Sequence, residues 1–189
     1  MQKNRARPAK IDQAFRDADG QAVQIDGRAV HLAFAIAIPW TVAGLALRFT
    51  SAVDRPEQGV CLELSSGDLL VNRRHTPDVC LWAGTTPSTV DLDILRNPTA
   101  PCTLRVWNCW RGTRGERRMW TGNAGLLVDL NPGASYRFSC SDGTGPAAFT
   151  DLVFTLKVQP KHTDPWREAA APPAFEQGPH ATHPVSANT

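Results

Sequence analysis

The sequence contains no C-x-x-C pair, no H-x-H or H-E-x-x-H, no G-x-S-x-G and no glycine-rich phosphate loop. The first absence excludes zinc ribbons and thioredoxin-like redox motifs, the second excludes metalloenzymes of the zincin or cupin kind, and the third excludes the nucleophile elbow of an α/β-hydrolase. Charge of one sign is also lacking: 20 Lys and Arg face 18 Asp and Glu, a formal net charge of +2. No segment is a strongly basic domain, so no footprint for duplex nucleic acid exists. Lys3, Arg5, Arg7 and Lys10 form a local basic run at the start, which reads as a solvated tail. Five cysteines are too few for a disulfide scaffold, and their odd number, without a secretory signal pattern, points to free thiols in a reducing, cytoplasmic setting. As small hydrophobes they fit the core, as in Val79-Cys80-Leu81-Trp82.

What is present is an apolar content of 42%. One uncharged stretch, Val30 to Leu47, is long enough to suggest a membrane span. The pattern inside it argues for a sheet. Leu32, Phe34, Ile36 and Ile38 alternate with Ala33, Ala35 and Ala37, which puts the large side chains on one face of a strand, a period a helix does not use. Pro39 interrupts, Trp40 and Thr41 make a corner, and a second strand follows around Gly44. No membrane association is expected.

The chain divides into a basic flexible leader over 1–20, a folded domain over 21–158, and a Pro-rich flexible tail over 159–189 that holds six of the fifteen prolines together with Trp166 and Phe175. Residues Ile11 to Ala18 are readable either as a short helix or as loop. Asp19-Gly20 and Asp26-Gly27 bracket an entry hairpin. Beyond it, strands are expected at Val60–Leu64, Leu69–Asn72, Val79–Ala83, Thr89–Leu95, Thr103–Cys109, Met119–Thr121, Leu126–Leu130, Ser135–Cys140 and Phe149–Val158, separated by turn formers. The fold class is therefore all-β, an antiparallel β-sandwich or jelly roll of about ten strands.

Arg105 to Gly125 concentrates tryptophan and arginine: Trp107, Trp110, Arg111, Arg114, Arg117 and Trp120 are the candidate ligand-binding residues. Indole rings offer flat contact area at low entropic cost, and guanidinium groups stack on them. On a strand from Thr103, Trp107 and Trp110 lie on opposite faces, so at least one of them belongs to the core. Asn123-Ala124-Gly125 marks a bulge or a tight bend. Asp91, Asp93, Glu63 and Asp129 are the carboxylates from which a hydrolytic pair would be drawn.

Asp142-Gly143 followed by Phe149-Thr150-Asp151-Leu152-Val153-Phe154 resembles the D-x-D-F-N-D-L-V-F ending of certain bacterial extracellular β-sandwich domains. The resemblance implies a closing strand of a sandwich and calcium held by Asp142 and Asp151. Ala147 and Ala148 stand where that motif has acids, and Thr150 where it has Asn. The combined expectation is a non-enzymatic binding or interaction module using a Trp/Arg surface, for carbohydrate or a protein partner, with no cofactor beyond that calcium. A carbohydrate-active hydrolase and a structural, self-assembling component are the alternatives.

Overall fold

The structure, a computed structural model, describes residues 11–161. One helix, α1 (Ile11–Asp17), precedes fourteen strands. They are β1 (Val23–Ile25), β2 (Arg28–Val30), β3 (Phe34–Ala37), β4 (Val42–Ala52), β5 (Gln58–Leu64), β6 (Asp68–Val71), β7 (Arg74–Thr76), β8 (Asp78–Trp82), β9 (Thr89–Leu95), β10 (Thr103–Arg111), β11 (Arg117–Arg118), β12 (Gly125–Asn131), β13 (Ser135–Ser141) and β14 (Leu152–Pro160). All pairings are antiparallel. A seven-stranded sheet runs β12-β13-β14-β4-β9-β6-β7, and a five-stranded sheet runs β11-β10-β5-β8 with β3 also on β10. The two pack face to face as a β-sandwich.

The alternating run builds the crossing between them. Phe34 to Ala37 pairs with Val106 to Thr103 on β10, Ile36 and Ile38 are buried, and Ala35 and Ala37 face out. Pro39 cannot donate to a ladder, so the chain turns there and re-emerges as β4 in the other sheet. Among the described residues no helix is long and apolar enough to cross a membrane.

Between the sheets, Leu45 and Leu47 of β4, Val60 and Leu62 of β5, Leu104 and Val106 of β10, and Phe138, Phe154 and Leu156 of the last two strands are essentially sealed from solvent. Phe138 and Phe154 face each other across β13 and β14, stacked at 4.6 Å with planes 8° apart.

The hairpin expected at Asp26-Gly27 forms β1 and β2, with both turn residues at positive φ, 49° and 76°. That is the twist a two-residue hairpin needs. Three sequence expectations are corrected. The leader is a docked helix over its described part rather than flexible throughout: residues 1–10 lie outside the described residues, but α1 docks by Ile11 and Phe15 on Val23, Val30 and Leu127. The Ile11 and Asp12 amides donate to Asn123 Oδ1 and the Gly122 carbonyl, and Asp12 Oδ2 accepts from the Gly122 amide. Second, the strand expected at Met119–Thr121 is displaced to β11, where Arg117 and Arg118 pair with Arg111 and Trp110. Trp120 then takes φ 57°, outside any strand. Third, β7 was missed because the β6–β7 turn uses Asn72-Arg73, at φ 50° and 64°, without a glycine to announce it. At the other end β14 continues through Gln159 and Pro160, and 162–189, with Trp166 and Phe175, lie outside the described residues.

The Phe138–Phe154 stack is fully buried between the sheets. Phe154→Ala is expected to destabilise the fold by about 3–5 kcal/mol, read as a fall in the urea midpoint without a change of slope.

Candidate functional site

Each strand of the five-stranded sheet shows its outer face by alternation. On β5, Val60, Leu62 and Leu64 point inward, leaving Gly59, Cys61 and Glu63 outward. On β10, Leu104, Val106, Asn108 and Trp110 share the inward face, leaving Arg105, Trp107, Cys109 and Arg111 outward. On β8 the outward residues are Asp78, Cys80 and Trp82, opposite Glu63, Cys61 and Gly59. Register then does the assembly. Cys61 stands directly opposite Cys80 on one side and Trp107 on the other, while Cys109 stands opposite Gly59 and diagonal to Cys61.

Three thiols therefore converge on one sheet face. Cys109 Sγ lies 3.4 Å from Cys61 Sγ and 3.3 Å from Cys80 Sγ, and all three sulfurs fall within 4.8 Å of one another. Cys61 and Cys109 are 1% and 0% exposed, whereas Cys80, on the edge strand, is half-buried. Gly59 makes the space: a Cβ there would sit 2.9 Å from the Trp82 ring, 3.0 Å from Cys109 Sγ and 3.1 Å from the Leu81 carbonyl.

The cover over the thiols is aromatic and cationic. Arg111 lies 4.1 Å over the Trp82 ring and its Nε donates to Glu57 at 2.6 Å. Arg105 lies 5.6 Å from the centroid of Trp107 and pairs with Glu63 at 3.0 Å. Arg117, projecting from β11 beside Arg111, brings Nη1 to 3.9 Å from Cys61 Sγ. Trp120 tilts against Trp107 with centroids 5.6 Å apart.

The thiols are not electrostatically equal. The S–H groups of Cys109 and then Cys61, with the Arg117 guanidinium, hold the Cys80 thiol well below its ordinary range against the opposing effect of burial. Cys109 is pushed up by its hydrogen bonds to Cys61 and Cys80 and by burial. Cys61 is also raised: its bond with Cys109 works the other way, but Cys80 and burial outweigh it. The arrangement favours one thiolate, at the most accessible of the three sulfurs. Cys102 and Cys140 are different, buried thiols raised by desolvation, and they fit the sequence reading of cysteine as a small hydrophobe.

The six candidates from the sequence are brought together only in part. Trp110 is 2% exposed and faces the interior beside Gly143, so it packs in the core and presents no ring to a ligand. Trp107 is 7% exposed, with Trp120 against it and an indole N–H that has no partner. Arg111 and Arg117 belong to the cover, Arg114 sits exposed in the β10–β11 loop, and Trp120 is 37% exposed. Sequence reasoning missed Trp82, Gly59 and the cysteine trio. The signal was available: alternation within each strand puts each of these cysteines in phase with Glu63, Asp78 or Arg105 and out of phase with the core residues.

The carboxylates are dispersed. Asp91 and Asp93 lie on β9, on the outer face of the seven-stranded sheet, with Asp93 held by Lys161 Nζ at 2.7 Å beside a small cavity of about 190 Å³. Glu63 is on the opposite outer face, and Asp129 pairs with Arg28 at 3.5 Å. Asp142 and Asp151 do come together, as a clasp on the β13–β14 connection. Asp142 Oδ1 accepts from the Thr144 amide at 2.7 Å, its Oδ2 from Gln58 Nε2 at 2.9 Å, and Asp151 Oδ2 from the Asp142 amide at 2.9 Å. Three of their four carboxylate oxygens thus accept bonds from protein donors.

Comparison with protein-family models, with curated proteins and with solved structures finds no match for the chain.

Two outcomes follow from the thiol geometry. A Cβ at position 59 meets backbone and an aromatic ring, neither of which can yield freely, so Gly59→Ala is expected to cost about 1–3 kcal/mol by overpacking, measured by denaturant titration. In a brief iodoacetamide pulse on the folded chain, Cys80 is expected to label at least about tenfold faster than Cys102 or Cys140, at a rate nearly flat from pH 6 to 8. A rate that climbs in proportion to hydroxide would show an ordinary thiol instead.

Proposed function

We propose that the protein is a non-enzymatic binding module and that Trp120, with Arg16 beside it, is its contact surface for a protein partner. The observation that carries this reading is the position of Trp120. A bulky side chain held at φ 57° is uncommon, and strained backbone of this kind collects at functional sites. Here it leaves a large ring half-open to solvent, propped from below by Trp107, at the wall of a cleft of about 270 Å³ completed by Phe15, Leu32 and the α1 residues Asp12 and Arg16. Tryptophan and arginine around a desolvated pocket are the residues on which protein contacts concentrate their energy. A protein partner is favoured over a carbohydrate because one ring, rather than a row of rings, is presented.

A hydrolase acting on carbohydrate is the second reading, resting on Asp91 and Asp93 beside their cavity. The two are separable. Screened against a peptide array and a glycan array, the wild-type chain is expected to retain peptides, and Trp120→Ala to weaken that retention by about 30-fold, the factor that 2 kcal/mol represents. Release of reducing sugar that disappears in Asp93→Asn would instead establish the hydrolase.

A further inference from the structure

The cysteine trio goes beyond the contact surface at Trp120. We propose that Cys61, Cys80 and Cys109 form a three-thiolate site for a single soft d10 cation of the cuprous class.

The donor set selects the ion. Thiolates are soft ligands that suit Cu(I), Zn(II) and iron–sulfur chemistry and leave Mg, Ca and Mn to carboxylates and carbonyls. Among the described residues no histidine or carboxylate joins the three sulfurs. Zinc in protein sites takes four positions, and closed structural sites fill all four with protein ligands. Three sulfurs with no fourth side chain suit an ion content with trigonal coordination, as cuprous copper is.

The separations fit. Bonds near 2.3 Å on a trigonal centre place the sulfurs about 4 Å apart, and the three observed separations run from 3.3 Å to no more than 4.8 Å. Binding would need only small side-chain adjustments, since the absence of a Cβ at Gly59 already lets Cys109 Sγ sit close over that strand. All three sulfurs project from the same sheet face, so they form a tripod on a rigid ladder rather than on a loop. The half-buried Cys80 on edge strand β8 gives the ion its way in, with the Trp82 and Trp107 rings flanking the sulfurs on the same sheet face.

The charge balance is explicit. Three thiols lose three protons as one cuprous ion binds, leaving a complex of charge −2. Arg117, whose guanidinium is already 3.9 Å from Cys61 Sγ, supplies the nearest compensating charge. An outer partner of this kind typically changes metal affinity by about 10–100-fold.

The test uses the full-length reduced chain under anaerobic conditions, titrated with Cu(I) delivered from a competing bicinchoninate complex and, separately, with Zn(II). The expected result is one Cu(I) per chain, a sulfur-to-copper charge-transfer band in the ultraviolet, and a preference for Cu(I) that zinc does not reverse. Cys80→Ser is the informative variant because its side chain is half-exposed and its loss leaves the core intact; it should abolish the band, whereas Cys102→Ser should keep it. Arg117→Ala should retain one equivalent with affinity lowered by about tenfold or more. Independent of any variant, bound copper should shield the half-buried Cys80 from alkylation, read by mass spectrometry of the wild-type chain. Absence of the band, zinc displacing copper, a band that survives in Cys80→Ser, or labelling of Cys80 unchanged by copper would each overturn the proposal.

Discussion

The antiparallel ladder of β5 against β10 on one side and β8 on the other sets both the interior and the outer face of the smaller sheet. Because side chains alternate along a strand, its register is a single choice with two consequences. The pairing that sends Val60, Leu62, Leu104 and Val106 into the core is the same pairing that lifts Cys61, Cys80, Cys109, Trp82 and Trp107 onto the opposite surface. A slip of one residue would expose four buried aliphatic side chains and drive Glu63 and Arg105 inward. At roughly 1.5–3 kcal/mol for each fully buried aliphatic side chain, the core locks the register far more firmly than any contact on the outer face could. The thiol cluster is therefore held in place by the packing of residues on the other face of the sheet.

That outer face departs from what a sandwich normally presents to water. Antiparallel sheets commonly carry polar side chains on the solvated side, and here that expectation holds at the Glu63–Arg105 end and fails toward Trp82 and Cys109. The ion pairs Arg111–Glu57 and Arg105–Glu63 are partly exposed, and pairs near the surface contribute little to stability. Their geometric effect is larger than their energetic one: they fix two guanidinium groups over two indole rings, and those rings flank the sulfurs on the same sheet face.

Much of this architecture was legible in the residues. The alternation from Leu32 to Ile38 identified a strand rather than a membrane helix, Asp26-Gly27 announced a hairpin, and Thr89–Leu95 was bounded at both ends as found. Errors fell where conformation was set from a distance. Asn72-Arg73 makes a tight turn without glycine, and β11 exists only because Arg117 and Arg118 find Arg111 and Trp110 across a loop. Helix α1 is short and isolated in sequence; Gly122, Asn123 and Leu127, more than a hundred residues away, give it its seat. The candidate site divides along the same line. Density of Trp and Arg flagged Trp107, Arg111, Arg117 and Trp120, whereas the cysteines, spread from position 61 to 109, share no spacing motif and meet only through sheet register.

Trp107 ties the two halves of the surface together. It stands opposite Cys61 on the ladder and carries Trp120 on its other side, so one buried ring borders the thiol cluster and also supports the exposed ring of the cleft. Its neighbour in sequence, Asn108, points inward and donates to the Ser141 carbonyl at 2.9 Å, anchoring β10 to the end of β13. Gln58, one strand over, bonds Asp142 in the same layer. The buried polar bonds at this end of the sandwich thus fix the strand positions from within, and the Cys–Trp–Arg surface inherits its rigidity from them. A site built this way gains its precision from paired backbone: each of the three sulfurs is carried by a strand, and none by the Gly112–Glu116 or Thr121–Ala124 loops that flank it.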